Sequence, residues 1–171
     1  LDHGIHFECE AGYLFITLPS GRRLAYYRPE LKPEPQFEKL GLTYLGTGQN
    51  KQWVRQKSYG GKLVENITQA TARDCLRDAM TALEDAGYRI VFHVHDEVIA
   101  DMPKGTGSLD EMKEIMGRPL PWAPGLPLRA AGFLLLHLPC TAPGRMAGDE
   151  RRGHAGLVSA GHHAGMHGPA G

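Results

Sequence analysis

Tyr88 to Met102, YRIVFHVHDEVIADM, is the stretch from which the rest of the chain is read. Ile90-Val91-Phe92-His93-Val94 is rich in β-branched and aromatic residues, Val98-Ile99-Ala100 has the same character, and His95, Asp96 and Glu97 stand between them. The pattern predicts two short strands joined by a tight turn, with the three polar residues at the bend. A turn selected for folding alone would favour Asn-Gly at its tip. Two neighbouring acids repel each other there instead, so a cation is expected to offset them. Mg²⁺ suits the position, being a hard ion that prefers carboxylate oxygens and often takes only one or two of them from the protein.

Upstream, Ala72, Leu76, Ala79, Met80 and Leu83 recur at three- and four-residue steps, which predicts a long helix from about Lys62 to Ala86 with a buried stripe. Gly87 is placed to stop it. On another face Lys62, Asn66, Gln69 and Arg73 fall at i, i+4, i+7 and i+11 and form one polar ridge. Donors on such a ridge can reach N3 of purines and O2 of pyrimidines, minor-groove acceptors that all base pairs share. The plain alternative is a solvated helix face.

The run Ser58 to Asp101, SYGGKLVENITQATARDCLRDAMTALEDAGYRIVFHVHDEVIAD, resembles the palm of a family A DNA polymerase, the type related to bacterial DNA polymerase I, and is closest in style to its bacteriophage members. HDE alone is a weak signal; the helix, its Gln and the hairpin in this order make it specific. The likeness extends more weakly from LPSGRRLAYYRP (Leu18 to Pro29) through PWAPGLPLRAAGF (Pro121 to Phe133).

This resemblance implies attack of a primer 3′-hydroxyl on the α-phosphate of a deoxynucleoside triphosphate, assisted by Mg²⁺, with primer-template DNA and the triphosphate as partners and the host cytoplasm as the location. It implies that Asp96 and Glu97 are catalytic and ligate the metal, although Glu97 could serve only to orient the metal's shell. His95 either caps backbone groups or, as the resemblance implies, donates near the primer terminus. Gln69 is implied to contact the primer-template; Asn66, Lys62 and Arg73 join it as DNA-binding residues by helical geometry. Within the 171 residues there is no counterpart of the family's Asp-bearing strand, DYSxIExR, nor of the fingers helix whose Lys grips the triphosphate. The chain is therefore expected to be an incomplete polymerase fragment, inactive by itself. Two rival readings are a non-catalytic DNA-binding module built on the ridge and a small metal-dependent phosphohydrolase using His93, His95, Asp96 and Glu97.

Formal net charge is zero, so any case for a nucleic-acid partner must be local. Three widely separated cysteines without CxxC spacing suggest neither a disulfide framework nor a zinc site. No apolar run is long enough to span a bilayer. Residues 1–57 read as a β-hairpin and loops leading into the palm: Tyr13 to Leu18 and Arg22 to Tyr27 as strands around the turn Pro19-Ser20-Gly21, then a proline-rich loop from Pro29 to Pro35 and a brief strand from Leu42 to Leu45. Arg22 and Arg23 could face phosphate or simply end a solvated strand. Lys51, Arg55, Lys57 and Lys62, interleaved with Trp53 and Tyr59, form the one basic patch with aromatics, read as either phosphate contacts or a solvated loop.

Residues 58–133 make the palm core, which also includes a short helix from Leu109 to Met116 capped by Ser108 and a closing strand near Leu128 to Phe133. Residues 134–171 lack periodicity and read as a disordered or frameshifted tail. The fold class expected is α+β: an antiparallel palm-type sheet with a long helix beside it.

Overall fold

The computed structural model describes residues 4–34, 39–103, 105–136 and 156–162. Its architecture is α+β, with two antiparallel sheets and one long helix. The chain divides into two compact units, Leu1–Ala72 and Arg73–Gly171, and the division falls inside that helix.

In the first unit β1 (His6–Glu10), β2 (Tyr13–Thr17), β3 (Arg23–Glu34), β4 (Lys39–Thr47) and β5 (Trp53–Ser58) form an antiparallel meander in sequence order. The β1–β2 turn pairs Glu10 with Tyr13 and puts both central residues, Ala11 and Gly12, at positive φ, the twist a two-residue hairpin prefers. Ile16, Leu18 and Tyr26 are buried.

The structure departs from the expected proline-rich loop: β3 runs on to Glu34 after a register shift between Tyr27 and Glu30, with Arg28 at positive φ. Pro29 falls within that irregularity, where a missing N–H costs the ladder little. Pro35 lies outside the described residues. The brief strand expected at Leu42 to Leu45 is the middle of β4, and the basic patch expected on a loop lies largely on β5.

The long helix, α1 (Gly60–Asp85), buries Cys75, Leu76, Ala79 and Leu83 in its C-terminal part. Ala72, expected in this stripe, is exposed, whereas Met80 is packed against the core. Gly87, at φ +89, ends the helix: its N–H donates to the Glu84 carbonyl and that of Tyr88 to the Leu83 carbonyl, each at 2.9 Å.

The predicted hairpin follows as β6 (Ile90–Val94) and β7 (Glu97–Met102). Then come α2 (Leu109–Met116), with Ser108 as its N-cap, and β8 (Ala130–Leu136) and β9 (Gly156–His162). The second sheet has the order β6-β7-β9-β8. Val98 and Ala100 alternate on its inner face and pack with Leu76, Leu83, Tyr88, Met112, Ile115 and Met116. Each such side chain removed from water contributes about 1.5–3 kcal/mol. The register aligns Phe92, Ile99, Ser159 and Phe133 in one row across the sheet, and Phe92 and Phe133 are exposed.

Of the stretch 134–171 expected to be disordered, residues 134–136 complete β8 and Gly156–His162 form β9; the remainder lies outside the described residues. Among the described residues no helix is long and apolar enough to cross a membrane.

Candidate functional site

The hairpin's register pairs Val94 with Glu97, so His95 and Asp96 form a two-residue turn and Glu97 begins β7. Burial of Val98 and Ala100 fixes which face of β7 turns inward, because a one-residue slip would reverse every side chain. At the root of the hairpin, Tyr88 is buried; its hydroxyl donates to Glu111 Oε2 at 2.7 Å and accepts from the Ser108 N–H at 3.0 Å. Burial above all, and then the Glu111 hydrogen bond, raises the Tyr88 pKa above its ordinary value. Arg89 forms an ion pair with Asp101 across the strands.

The tip differs. His95, Asp96 and Glu97 are exposed, and among the described residues none of their side chains has a hydrogen bond or ion pair. His95 takes φ 50, a region uncommon for a residue with a Cβ. A two-residue hairpin turn calls for positive φ, as at Ala11 and Gly12 of the β1–β2 turn.

Asp96 and Glu97 offer adjacent carboxylates that, among the described residues, no cation neutralises, and carboxylate oxygens are the donors a Mg²⁺ ion prefers. Among the described residues no three His, Cys, Asp or Glu side chains gather into a metal-binding group, so Asp96 and Glu97 alone could supply only part of such an ion's shell. This also separates the four residues of the phosphohydrolase reading, since His93 is drawn to a different partner.

That partner is Arg73. Its Nη1 lies 3.2 Å from His93 Nδ1 and its Nη2 3.4 Å from Nε2, joining the last residue of the helix ridge to the strand that leads into the acidic turn. The other ridge residues divide. Lys62 pairs with Glu65 at 2.9 Å, and that hydrogen bond, then its Coulomb attraction, raises the Lys62 pKa. Asn66 donates to the Tyr26 hydroxyl at 3.0 Å. Gln69 is exposed and, among the described residues, unpartnered. Of the four, Gln69 is the one whose side chain has no partner among the described residues.

Neither arginine of the first hairpin is a plain solvated end. Arg22 donates to the Ala70 carbonyl of α1 at 2.7 Å, and Arg23 lies over the Phe15 ring while pairing with Glu8 and Glu10. The sequence reading missed the anchoring roles of Tyr26 and Tyr88, both buried tyrosines with a polar end. The signal available was that a buried phenol needs a hydrogen-bond partner.

No protein-family model matches the chain, and no solved structure does. The chain is similar to a DNA polymerase of Bacillus phage SP02, with 54% identity over 134 residues, a stretch comprising 78% of this chain and 21% of that protein. It therefore spans about a fifth of the length of the curated relative it matches.

Proposed function

From that likeness we propose that the chain is the C-terminal palm portion of a DNA-directed DNA polymerase of family A, adding deoxynucleotides to a primer 3′ end on a DNA template. The observation that carries the reading is the acidic turn, two exposed carboxylates without an internal partner at the tip of a hairpin whose root is firmly anchored. A phosphoryl-transfer centre would use such carboxylates to hold its metal ions.

In this reading Asp96 holds a Mg²⁺ ion, and Glu97 either shares it or orients its water shell. Bound there, Mg²⁺ supplies Lewis acidity that favours the deprotonated 3′-hydroxyl and stabilises charge on the leaving pyrophosphate. His95 donates a hydrogen bond near the primer terminus. Gln69 offers its amide to a minor-groove acceptor of the terminal base pairs, which rewards correct pairing whatever the sequence. Arg73 keeps His93, and with it the approach to the turn, in place. Little covalent work falls to the protein, whose part is positioning and electrostatics.

The 171 residues contain no DYSxIExR strand, and a polymerase centre needs further carboxylates. By itself the chain is expected not to extend a primer.

The test restores the missing context. In a chimera, these residues replace the corresponding segment of the SP02 DNA polymerase. The chimera should extend a primer, and Asp96→Ala within it should slow extension by about 10³-fold, the scale of losing a principal electrostatic group. An inert chimera that folds, or one indifferent to Asp96→Ala, would overturn the proposal.

A further inference from the structure

The five-stranded sheet carries an aromatic row that the polymerase reading leaves unused. Pairing of Tyr13 with Tyr27 puts both on the face that Phe15 shares, opposite to the face of buried Ile16 and Tyr26. Alternation along β5 sends Trp53, Arg55 and Lys57 to one side. The rings follow one another at centroid separations of 5.5 Å for Phe15–Tyr13, 4.9 Å for Tyr13–Tyr27 and 6.1 Å for Tyr27–Trp53. Trp53 closes the row with 68% of its surface exposed, so most of its ring is left open to another π-face.

Charge is distributed unevenly along this row. At the β1 edge Arg23 is neutralised by Glu8 and Glu10, and on β5 Arg55 is held by Glu30 at 2.7 Å. At the Tyr27–Trp53 end, Arg28 lies 5.4 Å from the Tyr27 centroid, and among the described residues Arg28, Lys51 and Lys57 have no acidic partner. Arg28 and Lys51 both hold positive φ, Arg28 beside the β3 irregularity and Lys51 in the turn before Trp53. The open Trp53 ring beside cations without acidic partners matches an unpaired nucleic-acid strand, whose bases offer π-faces and whose phosphates offer negative charge. A duplex hides those faces within its stack.

We propose that this face binds single-stranded DNA, with bases stacking on Trp53 and Tyr27 and phosphates running along Arg28, Lys51 and Lys57. Stacking makes the binding tolerant of sequence, and the phosphate contacts make it sensitive to salt. The identification of the strand as uncopied template rests on the polymerase reading; the binding itself does not.

The test titrates the 171-residue chain with a dT oligonucleotide and with a blunt duplex of equal length, following tryptophan fluorescence and, separately, the anisotropy of labelled DNA. The single strand should quench Trp53, and Trp53→Ala should weaken its binding about tenfold while Trp53→Phe retains most of it. Lys57→Ala should lower the salt slope by about 0.7, the share of one phosphate contact on a single strand. Thermal unfolding of each variant establishes that it is folded. Equal single-strand affinity in folded Trp53→Ala and Tyr27→Ala, or a face engaged only in pairing with a second copy of the chain, would overturn the inference. An inert chimera with Trp53-dependent single-strand binding intact would sink the polymerase reading alone; an active chimera with indifferent Trp53 variants would sink this inference alone.

Discussion

The two ends of the β6–β7 hairpin are built on opposite terms. At the root every polar group is spoken for: the Tyr88 hydroxyl bonds both Ser108 and Glu111, and Arg89 pairs with Asp101. At the tip His95, Asp96 and Glu97 are exposed, unpartnered among the described residues and, at His95, held at an uncommon backbone angle. The same few residues of strand connect them. What differs is where the polar side chains are engaged: those of the root within the fold, those of the tip with no partner among the described residues.

Substitutions at the two ends should therefore register in different measurements. Tyr88→Phe leaves the Ser108 N–H and Glu111 without their partner and is expected to lower unfolding free energy in urea by about 1–2 kcal/mol. Asp96→Ala, expected to slow extension in the chimera, should leave the same titration of the 171-residue chain within about 0.5 kcal/mol of the parent. Comparable destabilisation by the two would erase the contrast.

Relieving the turn sharpens it further. His95→Gly removes the Cβ from positive φ and should raise stability by about 0.5–1 kcal/mol, while chimera extension falls about tenfold. A variant that gained stability without losing rate would mean that His95 has no part in the chemistry.

The smallest effect is one of pH. The folded-state pKa of Tyr88 is raised, so the root's contribution is fully present below about pH 10, where an unfolded tyrosine titrates, and is lost as pH rises through the folded value. Alkaline urea titrations should show this loss in the parent chain and its absence in Tyr88→Phe.

How much of this was legible in the sequence follows from how each segment announces itself. Runs of β-branched and aromatic residues around a polar bend gave the hairpin, three-and-four spacing gave the helix, and Ser108 ahead of Asp110 and Glu111 gave the start of α2. The aromatic row was half visible: Trp53 and the β5 cations stood out, but their neighbours Tyr13, Phe15 and Tyr27 join them only through strand register, which local sequence does not encode. Pro29 and Pro33 read as breakers because the β3 irregularity that accommodates Pro29 depends on the partner strand. Gly156–His162 escaped because GLVSAGH has little bulk to alternate, and its place beside β7 and β8 is set by long-range pairing. Of the site, the acids could be read directly. The diversion of Asn66 to Tyr26 and of Arg73 to His93 could not, since a helical wheel gives direction without partner.

The position of β6 at the border of its sheet carries a practical consequence. Val91, Phe92 and Val94 stand exposed on that border strand, and among the described residues no strand pairs with its outer side. Borders of this kind are templates on which further molecules add rung by rung until fibres form. Whatever keeps this polypeptide dispersed where it works must therefore cap β6 or keep the chain dilute.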